Sequence, residues 1–344
     1  MVQLKNKNQL IILFLALLLL ISFVLNVALG QVSIPFWEII SSLLFGESKN
    51  ETWNYIIINF RIPKAIAAIL VGIGLSVSGL LMQTLFRNPL AGPYVLGLSS
   101  GSSLGVAFII LGAAVLPNWM GVILQSNYSI VLASCFGSLL VLGLLLIAIK
   151  KLRDTTMILI VGLMFSSFAG AVVNVLSYFS NAEQLQRFTF WSMGSIGNLT
   201  SNQLLLLSFC VTIGSIVSLF SIKSLDALLL GENYAKSIGV NLSKSRLLVI
   251  FATAIFTGSI TAFTGPIAFV GLAVPHIAKI ILQSSNHKIL FFCTALLGGI
   301  IMLLCDLVSQ MPGANFTLPI NAVTSILGAP VVVWLIIKRK QARN

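Results

Sequence analysis

Charge is what this 344-residue chain has least of, with only 8% of its residues Asp, Glu, Lys or Arg against roughly 25% in a soluble domain. So few charges cannot cover a water-exposed globular surface. Disorder is excluded by the opposite excess, 58% hydrophobic residues, which leaves ample apolar surface to bury. The two histidines, His276 and His287, are too few for a metal cluster. Four cysteines, Cys135, Cys210, Cys293 and Cys305, all lie in apolar runs without C-x-x-C spacing and read as small hydrophobes of a helix bundle. An enzyme needs acids, bases or nucleophiles converging in a pocket, yet the only carboxylate within the apolar runs is Asp306, and there is no H-E-x-x-H. An ion-coupled carrier keeps several ionisable groups at membrane depth, and one aspartate is poor support for that. The stretch Gly231-Glu232-Asn233-Tyr234-Ala235-Lys236-Ser237 lacks the second glycine of a phosphate loop and follows no strand. The chain is therefore expected to bind neither ATP nor Mg itself.

What the chain has is long apolar runs. A hydrocarbon core about 30 Å thick needs about 20 apolar residues per helix. Ten spans are expected near 9–29, 62–85, 94–115, 128–149, 157–179, 203–220, 246–264, 266–283, 289–310 and 320–337, which makes an all-α polytopic membrane protein of one transmembrane domain, 1–344. Lys5 and Lys7 before the first run also suit a signal peptide, with a small-residue site at Ala28-Leu29-Gly30. The run of about 20 residues exceeds the usual 7–15 of a cleaved signal, so a retained helix is expected.

The net charge of +12 invites a nucleic-acid reading, but its placement assigns it to topology. With the N-terminus inside, only Lys49, Arg61, Lys64 and Arg187 of the twenty Lys and Arg fall outside. This is the positive-inside bias; both termini are then cytoplasmic, and nucleic acid is not expected as a partner.

Between the first two spans, Ile34, Phe36, Ile39, Ile40, Leu43 and Leu44 recur near helical spacing beside Trp37 and Trp53. Segment 30–60 is read as an amphipathic helix on the outer membrane face, or as a loop packed on the bundle. Gly92-Pro93 and Gly265-Pro266 each open a glycine-containing apolar stretch, half a chain apart. An inverted repeat and a coincidence of turns both remain open. Gly97, Gly101 and Gly105, four apart, read as one packing face, with a pathway-lining role for the serines between them as the alternative. Asp306 reads as a hydrogen-bond anchor between helices. The inner stretch 221–245 joins Ala227-Leu228-Leu229-Leu230 to Gly231, Ala235 and Gly239, which suggests a short helix between glycines, projecting inward as a docking element.

Several strings in the chain resemble the FecCD family, permease subunits of ABC importers for iron–siderophores, haem and cobalamin. They are Arg61-Ile62-Pro63-Lys64, Gly79, Gln83, Arg87-Asn88-Pro89-Leu90-Ala91, Pro93 and Leu96-Gly97, then Gly265-Pro266-Ile267, Phe269-Val270-Gly271-Leu272, Pro275-His276 and His287, then Leu318-Pro319 and Gly328-Ala329-Pro330. The resemblance implies a homodimer of ten-span subunits, two cytoplasmic ABC ATPase subunits that bind the ATP and Mg, and one external solute-binding protein. Within it, Leu230, Gly231, Glu232, Ala235 and Gly239 match the ATPase-coupling motif. Arg61 and Lys64 match basic residues that meet the binding protein; being three apart, they would share a helical face. The family's third basic residue is replaced here by Gln310, which implies a weaker or rearranged docking. Thr155 and Thr156 resemble the polar pair of the cytoplasmic gate, and His276 reads as structural. An ion-coupled secondary carrier and a membrane scaffold without transport remain the competing readings.

Overall fold

The computed structural model describes residues 2–45, 50–112, 127–152, 155–310 and 316–341. Lys49, Arg153 and Arg343, and the last residues of the expected third span, lie outside the described residues. Helices occur at α1 (Val2–Ala28), α2 (Phe36–Phe45), α3 (Glu51–Ile56), α4 (Ile62–Leu85), α5 (Leu98–Ile110), α6 (Asn127–Lys151), α7 (Thr155–Tyr178) and α8 (Ala182–Ser192). They continue with α9 (Ser201–Leu229), α10 (Glu232–Ser237), α11 (Leu242–Thr264), α12 (Val270–Leu282), α13 (His287–Gln310) and α14 (Ile320–Gln341). A π turn, Ile57–Arg61, fuses α3 to α4.

Among the described residues, seven helical segments are long and apolar enough to cross a membrane, and shorter apolar helices at α5, α12 and α14 bring the total to the expected ten. Two of the short ones are the stretches opened by Gly-Pro. At 13 residues each, α5 and α12 extend about 20 Å, less than a hydrocarbon core. The chain ahead of each is irregular: a 3-10 turn at Pro93–Leu96 before α5, and a break after Gly265 before α12 in which Phe269 adopts φ 65°. Irregular backbone at membrane depth survives only where protein satisfies it. Here the Asn321 side chain accepts from the Ala268 amide at 3.1 Å.

Hydrogen bonds sort the helix ends into two sets. Thr84 near the end of α4 meets His287 at the start of α13, Arg87 meets the end of α9, and His276 of α12 meets Pro89. At the opposite end, Lys64 of α4 meets Asp306 of α13, and the Ser195 amide meets Thr264 at the end of α11. So α4 and α11 run in opposite directions, as do α5 and α12. Lengths match too: 24, 13, 25 and 24 residues for α4 to α7 against 23, 13, 24 and 22 for α11 to α14. This is the inverted arrangement that the paired Gly-Pro turns suggest.

The core is α4, α11 and α13. The most apolar window of the α3–α4 segment is 78% buried, against 17% for α7. Backbones touch where glycines remove side chains: a methyl at Gly72 would lie 2.2 Å from the Gly298 carbonyl oxygen, and one at Gly79 only 1.6 Å from that of Gly271. Gly101 and Gly105 bring α5 onto Gly137 and Ala133 of α6 in the same way. Gly97 departs from the expected single face. It caps α5 at φ 76° and lies against Gly162 of α7. Helix α1 is an integral member of the bundle, since Asn26 donates to the Leu303 carbonyl and to Asp306, both at 3.0 Å.

Candidate functional site

At the Arg87 end, α9 does not stop at residue 220. Its 29 residues run to Leu229, about 43 Å, so 221–229 is the projecting end of a helix rather than loop. Gly231 then turns the chain at φ 124°, α10 forms, and Gly239 at φ 86° turns it back toward α11. Both are conformations in which a Cβ is strained. The short element is held from one side: Ala235 is fully buried, while Leu229, Leu230, Tyr234 and Ile238 are about half or more exposed. Glu232 pairs with the buried Arg246 of α11 at 3.0 Å. Leu230, Gly231, Glu232, Ala235 and Gly239 are thus brought into one projecting apolar knuckle.

Sequence reasoning missed what lies beneath the knuckle. Asp226 Oδ1 accepts from the His287 backbone amide at 2.9 Å and lies 2.7 Å from its Nδ1. The other ring nitrogen is 2.9 Å from Thr84 Oγ1. Arg87, itself at φ 46°, donates to the Leu228 carbonyl at 2.6 Å. The loop after α4 is closed by Asn88, whose side chain accepts from the Leu90 amide at 2.9 Å, and by His276, which donates to the Pro89 carbonyl at 2.9 Å. His276 therefore has a structural role. Thr155 opens α7 at the same end, with Thr156 exposed beside it.

At the opposite end, Asp306 is 2% exposed and joins three helices. One oxygen takes Lys64 Nζ at 3.0 Å, and the other accepts from Asn26 at 3.0 Å and Gln310 at 2.7 Å. Arg61 and Lys64 do not present the common exposed face that their spacing suggested. Arg61 is buried, and its guanidinium donates to the carbonyls of Val27 and Ala28 at 2.8 and 2.9 Å and to that of Val32. These are the orphan carbonyls at and just past the end of α1, where a cation also meets the negative end of the helix dipole. Lys64 keeps about a fifth of its side chain exposed and lines two open cavities of about 240 and 370 Å³. Among the described residues, no group of three or more His, Cys, Asp or Glu could hold a metal ion.

The FecCD transport family model matches residues 18–338. The hemin transport system permease HmuU of Yersinia pestis is 33% identical, covering 99% of both chains. The vitamin B12 import permease BtuC of Klebsiella pneumoniae subsp. pneumoniae is 33% identical over 95% of this chain and 93% of its own. A solved structure, a transporter assigned to the metal-chelate type of ABC transporters in an inward-facing conformation, superposes with TM-score 0.83 at 29% identity, over 95% of this chain and 99% of that one.

Proposed function

From the premise that the chain belongs to the FecCD transport family, and so is a transport subunit rather than an enzyme, we propose that it is the permease of an importer for a bulky metal chelate. The cargo class spans iron–siderophores, haem and cobalamin. Two separate ATPase subunits supply the energy and hold the ATP and Mg. The observation that carries this reading is the knuckle at α10, a projection whose Leu230, Tyr234 and Ile238 are left uncovered by the described residues. Leu230 and Tyr234 on its outer side would seat in a cleft of the ATPase, and Gly231 and Gly239 fix its angle. Closure of the ATPases around ATP would then move the helices to which α10 is tied.

The Arg87 end is cytoplasmic in this reading. Lys150, Lys151, Lys223, Lys236, Lys244, Arg246, Lys279 and Lys288 gather there, which is the charge bias of an inner face, and both termini then lie inside. The Asp306 end receives the external binding protein, and Lys64 rather than Arg61 is the cation it can reach. The second copy of the chain packs along α7, which is barely buried and exposes Ser167 and Asn174 among Met164 and Phe168, a mixed face unlike a lipid-facing one. Thr155 and Thr156 at its inner end then line the cytoplasmic gate. Lipid covers the outward side of α2, where Trp37 is 73% exposed while Glu38 is buried, the reverse of a helix lying in water.

The test is association and stimulation. Co-expressed with its ATPase and a panel of binding proteins loaded with ferric siderophore, haem or cobalamin, the permease should form a stable complex. ATP hydrolysis should be stimulated by one loaded form, and Leu230→Asp or Gly231→Ala should abolish that stimulation. Failure to associate with any ATPase would overturn the proposal.

A further inference from the structure

One set of close polar contacts at the Arg87 end involves none of the expected coupling residues. They gather at the last turn of α9, just before Gly231. Asp226 reaches across to α13, where it takes the first backbone amide of the helix as well as the His287 ring. A carboxylate at a helix N-terminus satisfies an orphan donor and complements the dipole. His287, 2% exposed, passes the connection to Thr84 of α4. Arg87 returns from the end of α4 to the Leu228 carbonyl. The end of α9 is thus bound to α4 and α13 along a route that bypasses α10 and α11.

The receiving helices are joined at three heights. At the inner end His287 joins Thr84, mid-span Gly72 and Gly298 bring the two backbones into contact, and at the outer end Lys64 joins Asp306. Close packing resists continuous deformation, so a push at one end of such a pair emerges at the other.

We infer that Asp226 and His287 are positioning residues that transmit movement of the α9–α10 knuckle into the α4–α13 pair, and through it to the outer face around Asp306. The inference rests on α10 being the ATPase-docking element. Asp226 is the handle, because one oxygen grips both the backbone and the ring of the residue that starts α13. Thr84 is the second grip, which keeps α4 from sliding when α13 is pulled.

The test uses the full permease–ATPase complex in nanodiscs, with native cysteines replaced and spin labels in pairs. An inner pair at Lys236 and Lys150 reads movement of α10, and an outer pair at Asn59 and Asn198 reads the far face. Trapping with ATP and vanadate should shift both distances in the otherwise unaltered chain. In Asp226→Ala and His287→Ala the inner shift should persist while the outer shift falls about fivefold or more, the scale of an ordinary coupling factor. Asp226→Asn keeps an oxygen for the His287 amide and should restore much of it. Thr84→Val, nearly isosteric, breaks only the second grip and guards against variants that fail to fold. An outer shift undiminished in the alanine variants and in Thr84→Val would overturn the inference while leaving the docking reading intact. An inner pair that does not respond in the unaltered chain would overturn the docking reading, and this inference with it.

Discussion

A methyl group decides how close α4 can lie to its neighbours. Gly79→Ala would place a carbon 1.6 Å from the Gly271 carbonyl oxygen, so the helices must part. The alanine gains about 1 kcal/mol of helix propensity, but overpacking costs about 1–3 kcal/mol and more where backbone is struck, so the clash should win. Gly143→Ala on α6 meets nothing within 4 Å and should be neutral or stabilising. Thermal unfolding in detergent, compared across the two variants, checks the difference. The Asp306 node makes a second prediction at this scale. Removing one partner of a buried pair costs about 3–5 kcal/mol because the other charge is stranded; here Asn26 and Gln310 retain part of the compensation. Lys64→Ala should therefore destabilise clearly, and much less so in an Asp306→Asn background; a double-mutant cycle measures that coupling. Asp306 was legible as a joint between helices because a lone aspartate in an apolar run needs partners. Arg61 was misread because spacing reports which residues share a face, while the carbonyls that claim its guanidinium lie at and just past the end of α1, 29 to 34 residues earlier.

Elements were legible where hydropathy and helicity coincide and obscure where they part. Each of the ten apolar runs holds a helix among the described residues, yet α9 continues past its apolar run through Lys223 and Asp226, since a helix needs no lipid to persist once its end is tied down. That hidden extension carries Asp226, which is why the link to His287 could not be seen from sequence. Conversely, the Gly-Pro turns announced α5 and α12 but not their shortness, because apolar residues on both sides of the break fill an irregular segment as readily as a helix. The short helix between Gly231 and Gly239 was legible from its punctuation alone. For α2, burial adds what periodicity left open. A variant with Trp37 as sole tryptophan, reconstituted without partners, should be quenched most by lipids brominated high on the acyl chain, as for a helix buried 5–10 Å below the headgroups. Equal quenching at all depths, or none, would place α2 in water or against protein.

At the scale of the molecule, two ends differ in kind. The Arg87 end is basic and presents the exposed knuckle at α10; the Asp306 end is nearly neutral, with its most deeply buried acid, Asp306, already compensated. Between them the α4–α13 pair spans the fold. Such a molecule has no chemistry of its own to perform, and weak hold on cargo suits it, since a path that bound tightly would not release. An ion-coupled carrier would need titratable groups along that path. Between the Asp306 node at one end and the His287 link at the other, residues 65–85 of α4 and 289–305 of α13 include no Asp, Glu, Lys, Arg or His. The most direct test is uptake by proteoliposomes containing the permease, its ATPase and the loaded binding protein, with radiolabelled ferric siderophore, haem or cobalamin outside. Accumulation should require ATP on the ATPase side and persist when ionophores collapse every ion gradient. Uptake by the permease alone, driven by an imposed proton or sodium gradient and indifferent to ATP, would contradict the account.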